Sequence, residues 1–212
     1  MTKTPEELEL MAEAGRLLAS VFTHLDGLAL LGLSAMQVND LVDAYIVQDL
    51  KARPASKGQY GYGYALNASR NDVVCHGVPA ADDILRDGDI VNFDITLEKG
   101  GYIADSSKTY LVGQVHPAAR RLVQTSYQAM WKGIRAVRPG ARLGDIGHAI
   151  ERHAKRNGFR ACGQLGFGVW FEHKSSSFRS GSAGRVAPFQ ASATPKWAIC
   201  AKPLTGRGGF RP

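Results

Sequence analysis

Hydrophobic positions recur at helical spacing in the first 46 residues and predict two helices there. The first is introduced by a capping box at Thr4-Pro5-Glu6-Glu7, and its apolar stripe runs to about Leu25. The second is introduced by Ser34, with Gln37 three residues later, and its apolar stripe covers residues 38–46.

Alternating apolar and polar residues replace the helical period in the next part of the chain. A loop comes first, in which glycines and tyrosines interleave, followed by a short extended stretch. Two longer alternating runs then predict a β-hairpin. In chain order these features are the loop at residues 53–64, the extended stretch into Val73–His76, a turn at Asp87–Asp89, a strand at Ile90–Leu97, a turn at Lys99-Gly100 and a strand at Tyr102–Val112.

The helical pattern then returns, which indicates an internal repeat. One helix is predicted from His116-Pro117 to Val137, and a second ends at Asn157-Gly158. We therefore expect an α+β fold of two related helix–helix–strand halves, with helices on one face of a mostly antiparallel sheet. Residues 175–212 show neither alternation nor a helical period, so we expect the second half to be incomplete. The predicted organisation is a domain over residues 1–172 and a divergent tail over residues 173–212.

Composition narrows the class of protein and draws attention to the tail. The sequence has no apolar run long enough for a membrane helix and no signal-peptide pattern at its start, which favours a cytoplasmic protein. Three widely spaced cysteines are typical of reduced thiols. The net charge is +7, and residues 173–212 contain seven Lys or Arg but no Asp or Glu. That tail is interpreted either as a nucleic-acid-facing segment or as a weakly structured end without a partner.

The predicted hairpin carries two candidate metal ligands. With a two-residue turn at Lys99-Gly100, Asp94 lies directly opposite Asp105, and their Cβ atoms are about 4.5–5.5 Å apart. Two carboxylates at that distance repel each other, and a divalent cation between them would remove the conflict. The alternative is a different turn length, which would break the pairing and leave two solvated acids.

His76 is the candidate catalytic side chain. It lies in a turn in which Gly77 permits close backbone approach and Pro79 fixes the exit of the chain. A histidine held in this way can donate to a substrate carbonyl or carry a proton. A structural role for a single histidine is the other interpretation.

Taken together, these runs resemble the type I methionine aminopeptidase family, which has the pita-bread fold. The resemblance covers about residues 4–160. The runs that carry it are Thr4-Pro5-Glu6-Glu7 with Ala14-Gly15-Arg16, Asn71 to Pro79 as N-x-V-x-C-H-G-x-P, Asp87 to Thr96 as D-G-D-I-V-N-x-D-x-T, and Asp105 to Thr109 as D-T-S-x-T with Ser at the second position.

The resemblance implies a peptidase that removes the initiator methionine from new polypeptides, using two metal ions (Co, Mn, Fe, Zn or Mg) that activate a bridging water. It implies that Asp94 is a bidentate ligand, that Asp105 is a bridging ligand and that His76 faces the substrate near the scissile amide. Tyr62 matches a tyrosine that lines the methionine pocket, and Asn67 stands where many members have Cys. The implied partners are an N-terminal peptide substrate and, through the basic tail, the ribosome. The protein is expected to be a monomer away from membranes.

The sequence departs from the family pattern after residue 160. Gln164 stands at the position of a family histidine, and the two family glutamates have no counterpart because no Asp or Glu follows Glu172. Glu172 and His173 are possible substitutes, although adjacent strand residues point to opposite faces. Three readings remain open: an active aminopeptidase, a pita-bread protein that binds peptide or ribosome without cleaving, and a tail that arises from an altered reading frame or gene truncation.

Overall fold

A computed structural model of the chain describes residues 3–73, 75–161, 170–173 and 190–192, with side chains as far as Phe159. All strand pairs in these residues are antiparallel. Two helices and four strands come first, and two helices and three short strands follow. This order confirms the predicted repetition of helix–helix–strand units. None of the described helices is long and apolar enough to cross a membrane.

The first two helices form as the capping signals predict. Helix α1 spans Pro5–Asp26, and both hydrogen bonds of its capping box, between Thr4 and Glu7, are present. Helix α2 spans Ala35–Ala44 with a second complete box, and a π-helical turn at Tyr45–Asp49 extends it. Each box satisfies backbone N–H groups that the helix itself leaves without acceptors.

The helices of the first half cover one face of a four-stranded sheet. Strand β3 (Ile90–Lys99) is central, with β4 (Tyr102–Leu111) on one edge and both β1 (Arg53–Pro54) and β2 (Leu66–Arg70) on the other. Alternate residues of β3 point towards the helices and are fully buried, which makes this face the main core. The core residues of β3 are Val91, Phe93, Ile95 and Leu97.

The hairpin turn differs from the prediction by two residues in register. Lys99 pairs with Tyr102, so the turn residues are Gly100 and Gly101 rather than Lys99 and Gly100. Both glycines have positive φ, at 59° and 82°. A tight hairpin turn of the type that matches strand twist requires positive φ at both central residues, and lysine adopts that conformation poorly. The predicted direct pairing of Asp94 with Asp105 is therefore wrong.

The second half has its own smaller core. Helices α3 (Pro117–Ala136) and α4 (Leu143–Arg156) pack as a hairpin, and α3 and α4 with Phe159 enclose buried apolar side chains. Gly133 lies so close to α4 that an added Cβ would be 2.6 Å from Cδ1 of Ile150. Strands β5 (Phe159–Ala161), β6 (Trp170–His173) and β7 (Gln190–Ser192) form a second sheet.

Candidate metal and peptide site

The middle of one face of the first sheet is polar, opposite the face that the helices of the first half cover. Alternation and register put eight polar side chains there, between Ile90 with Leu111 at one end and Ile103 at the other. We call these eight the polar face: Asn67, Ser69, Asn92, Asp94, Thr96, Asp105, Ser107 and Thr109. Asn92 donates to the Thr109 hydroxyl at 3.1 Å across the hairpin. Hydroxyl, amide and carboxylate groups are therefore gathered in the middle of the face that does not form the main core.

Asp94 and Asp105 share this face despite the changed register. Asp94 lies directly opposite Ser107, and Asp105 lies opposite Thr96, so the two carboxylates are diagonal neighbours. A shift of two residues keeps every side chain on its face, whereas a shift of one would have moved it to the other. Diagonal neighbours are roughly 7–8 Å apart at the backbone. Two aspartate carboxylates can span this distance only with a cation between them, since each metal–oxygen bond adds about 2 Å. Both carboxylates are half-buried.

The Tyr62 phenol lies within electrostatic reach of Asp94. Its hydroxyl donates to the carbonyl oxygen of Leu66 at 2.8 Å, which fixes the ring beside β2. Burial, then the neighbouring Tyr64, then the charge of Asp94 raise the pKa of Tyr62 to about 12. The phenol therefore stays protonated near neutral pH and can donate a hydrogen bond. Asn67 lies directly opposite Asp94, so the structure places both predicted pocket residues near Asp94.

His76 lies in a loop that is tied to the outer edge of β2. Gly77, the next residue, accepts a hydrogen bond from the Ala68 N–H at 2.8 Å and donates to the Ser69 hydroxyl at 3.2 Å. His76 itself is exposed and has φ of 53°. The loop is therefore held against β2 at Gly77, and β2 in turn pairs with β3, the strand that carries Asp94.

Asp89 anchors the two ends of this loop, a role that the sequence interpretation missed. Its carboxylate accepts from Asn71 Nδ2 at 2.7 Å and from the Arg86 N–H at 2.8 Å, and Arg70 is 3.4 Å away. Asn71 in turn accepts from the Ile90 N–H at 3.1 Å, so the end of β2 is fixed to the start of β3. The sequence marked Asp89 as a turn residue, but partners 18 and 19 positions away gave no local signal.

The donors on the polar face fit a divalent cation that prefers oxygen ligands. Asp94 and Asp105 supply carboxylate oxygens, and the Thr96 hydroxyl is buried with no hydrogen-bond partner among the described residues. Within the described part of the chain, no group of three or more His, Cys, Asp or Glu side chains converges. The side chains of Gln164, Glu172 and His173, and all of the tail except Gln190–Ser192, lie outside the described residues. Within the described residues, the polar face thus offers two carboxylates that could hold a cation.

Comparison with known proteins identifies the family of the chain. The model of metallopeptidase family M24 matches residues 9–189. Methionine aminopeptidase B of Synechocystis is 42% identical over 158 residues, which are 72% of this chain and 57% of that protein. The Escherichia coli methionine aminopeptidase is 38% identical over 157 residues, which are 74% of this chain and 60% of that protein. The chain therefore spans about three fifths of the length of these curated relatives.

A solved structure extends the likeness to the fold. The methionine aminopeptidase of Rickettsia prowazekii superposes with a TM-score of 0.74 at 34% identity, covering 91% of this chain and 78% of that one. This likeness confirms the predicted pita-bread fold and the resemblance to type I methionine aminopeptidases. Membership of a metallopeptidase family implies divalent metal ions. The family model matches well over half of the chain, and the chain belongs to metallopeptidase family M24.

Proposed function

We propose that this protein is a metalloaminopeptidase that removes N-terminal methionine from new polypeptides. The observation that carries the proposal is the polar face, where Asp94 and Asp105 lie on one hairpin and Tyr62 is within electrostatic reach of Asp94. Relatives named methionine aminopeptidase over this same part of the chain support it. We propose Asp94 and Asp105 as ligands of two divalent ions drawn from Co, Mn, Fe, Zn and Mg.

The chain's own residues would hold and orient the substrate. A divalent cation, when bound, would supply Lewis-acid activation of the water that attacks the scissile carbonyl. His76 would donate a hydrogen bond near the scissile amide, because its loop presents an exposed imidazole from a fixed backbone position. The ring of Tyr62, held by the hydrogen bond from its hydroxyl to the Leu66 carbonyl, would line the methionine pocket, and so would Asn67, opposite Asp94.

Metal stoichiometry and turnover test this proposal together. Elemental analysis and calorimetric titration with Mn²⁺ or Co²⁺ should show bound metal in the wild type and strongly weakened binding in Asp94→Asn. A Met-Gly or Met-Ala peptide should then be cleaved, and His76→Ala should lower kcat by about 10²- to 10⁴-fold. Metal binding that ignores Asp94→Asn, or turnover no higher than in His76→Ala, would contradict the assignment.

We further propose the cellular setting that the resemblance implies. Residues 1–172 would form the peptidase domain, and the tail at residues 173–212, which is rich in Lys and Arg, would contact the ribosome. The protein would be a cytoplasmic monomer and would meet nascent chains at the ribosome. Co-sedimentation with ribosomes that falls with salt and with deletion of residues 173–212 would support the tail contact, and insensitivity to both would contradict it.

A further inference from the structure

Charge is divided sharply between two parts of the described chain. Residues 1–116 contain nine Lys or Arg and sixteen Asp or Glu, so this part has a net charge of −7. Residues 117–156, which hold α3 and α4, contain nine Lys or Arg and two Asp or Glu, a net charge of +7. We call residues 117–156 the basic hairpin. Concentrating like charge in one small unit costs self-repulsion, so the pattern points to an anionic partner.

The basic side chains of the hairpin all lie on the surface. Seven of the nine are arginines, whose planar guanidinium groups bind phosphate through two hydrogen bonds and stack on bases. Lys155 pairs with Glu151 on its own helix at 2.5 Å, and both side chains are largely exposed. Such surface pairs contribute little and leave the positive potential in place. The exposed basic residues are Arg120, Arg121, Lys132, Arg135, Arg138, Arg142, Arg152, Lys155 and Arg156.

The two helices contribute to one continuous surface. Gln128 of α3 lies 3.1 Å from the His153 ring of α4. Partial burial, then Lys132 and Arg156, lower the pKa of His153, which shows that cations of both helices converge on this imidazole. The close packing of Gly133 on Ile150 keeps the helices in fixed positions. Lys132 of α3 and Arg156 of α4 therefore lie near each other on a helix pair whose packing is fixed.

Exposed aromatic rings lie beside these charges. Tyr127 and Trp131 pack edge to face with centroids 6.4 Å apart, and they are 54% and 39% exposed. Both line a groove of about 720 Å³ between α1, β4 and α3, together with Arg120 of α3 and Lys108 of the opposite wall. Exposed rings among cations in a groove provide a stacking surface for unpaired bases and contacts for the adjoining phosphates.

From this arrangement we infer that the basic hairpin binds single-stranded RNA, with phosphates on its arginine and lysine side chains and bases against Tyr127 and Trp131. An anionic membrane fits less well, because the apolar faces of α3 and α4 are turned inward. Leu122, Ala129 and Ala154 are buried there. The exposed aliphatic side chains of the hairpin, Val137 and Leu143, lie at the two ends of the loop between the helices and do not form an apolar helix face that could insert into lipid. The inference goes beyond the proposed peptidase activity and does not require it.

Fluorescence anisotropy of the full chain with a labelled single-stranded oligoribonucleotide, measured over a salt series, tests the inference. Each phosphate contact on a single strand contributes about 0.7 to the slope of log binding constant against log salt concentration. One contact therefore raises the binding constant by roughly fivefold when salt falls from 1 M to 0.1 M. Lys132→Ala combined with Arg156→Ala should therefore weaken binding by roughly 25-fold at the lower salt and reduce the slope by about 1.4. Tyr127→Ala should weaken binding by about fivefold or more with little change in slope.

The matched control removes two positive charges from the acidic part of the chain, by Arg16→Ala combined with Lys57→Ala. It should change affinity by no more than about twofold, because those side chains lie outside the hairpin and pair with Glu13 and Asp43. Thermal melting should confirm that the variants fold, since alanine is favourable at the helix-surface positions Arg16, Tyr127, Lys132 and Arg156.

Several results would overturn the inference. One is an equal loss of affinity in the control and the hairpin variants. Another is binding that depends on Lys196→Ala with Lys202→Ala in the tail and ignores the hairpin substitutions. Equal affinity for duplex RNA would refute the role of the aromatic rings, and binding to phosphatidylglycerol vesicles without binding to RNA would identify a membrane surface instead.

Discussion

Replacing Gly77 by alanine should dislocate the loop that carries His76. A Cβ at this position would lie 2.0 Å from the Ala68 carbonyl oxygen and 2.7 Å from its carbonyl carbon, and both atoms are backbone. Real Cβ atoms essentially never approach closer than 3.0 Å, so the loop must move by about 1 Å or more. That displacement removes the Ala68–Gly77 hydrogen bond and the Gly77–Ser69 hydrogen bond, which are 2.8 and 3.2 Å long.

The loss of stability can be estimated from these two hydrogen bonds. Each contributes about 1 kcal/mol net, so the free energy of unfolding should fall by about 2 kcal/mol. For a chain of this size, that corresponds to a decrease in Tm of about 4–8 °C. In an active enzyme, a displacement of about 1 Å at His76 should also lower kcat/KM by about 100-fold.

Thermal melting followed by circular dichroism measures the first effect, and peptide hydrolysis the second. Gly63→Ala is the matched control, because an added Cβ there meets nothing within 4 Å and its φ is not positive. Ser69→Ala should give about half the loss of stability, since it removes only the acceptor of the Gly77 N–H. A Gly77→Ala protein that melts within a degree of wild type would refute the close approach of this loop to β2.

Two further predictions concern titrating groups and use nuclear magnetic resonance. In metal-free protein, Asp94→Asn should lower the pKa of Tyr62 from about 12, since the carboxylate charge opposes ionisation of the phenol. An unchanged pKa of Tyr62 would show that the two groups are not close. Lys132→Ala should raise the pKa of His153, because one of the cations that oppose its protonation is lost. The folded-state pKa of His153 lies below its ordinary value, so its contribution to stability is present above the unfolded pKa and is lost as the pH falls through the folded pKa. Lys132→Ala should weaken that acid sensitivity, and a His153 pKa that does not move would contradict the contact.

Local signals predicted the helices well, because caps act over three or four residues. The boxes at Thr4 and Ser34 appear with both of their hydrogen bonds. The face on which Asp94 and Asp105 lie was also predictable, since side-chain direction depends only on whether the register is even or odd. The pairing itself was not, because it depends on which two residues form the turn, and that choice was decided by the positive φ of Gly100 and Gly101.

The anchoring of the His76 loop was also not predictable from the sequence, but for a different reason. Asp89 binds groups from residues 70, 71 and 86, and Gly77 touches β2 at residues 68 and 69. These contacts exist only once β2 has paired with β3. The glycine at residue 77 indicated a close approach, but only the folded sheet shows which backbone it approaches.

The division of charge bears on how the two parts of the chain would work together. The acidic part holds the polar face, and its carboxylates favour cations such as the metal ions and the amino group of an incoming peptide. The basic hairpin lies across the groove that β4, α1 and α3 share, so it would hold a polyanion next to the proposed peptide site. Asn92, Ser107 and Thr109 of the polar face also line this groove, so RNA bound there would lie next to the proposed metal ligands. Asp94 and Asp105 themselves are not in its lining, so saturating single-stranded RNA should leave Mn²⁺ affinity at Asp94 within about twofold, whereas RNA that displaced the metal would place both ligands on one surface.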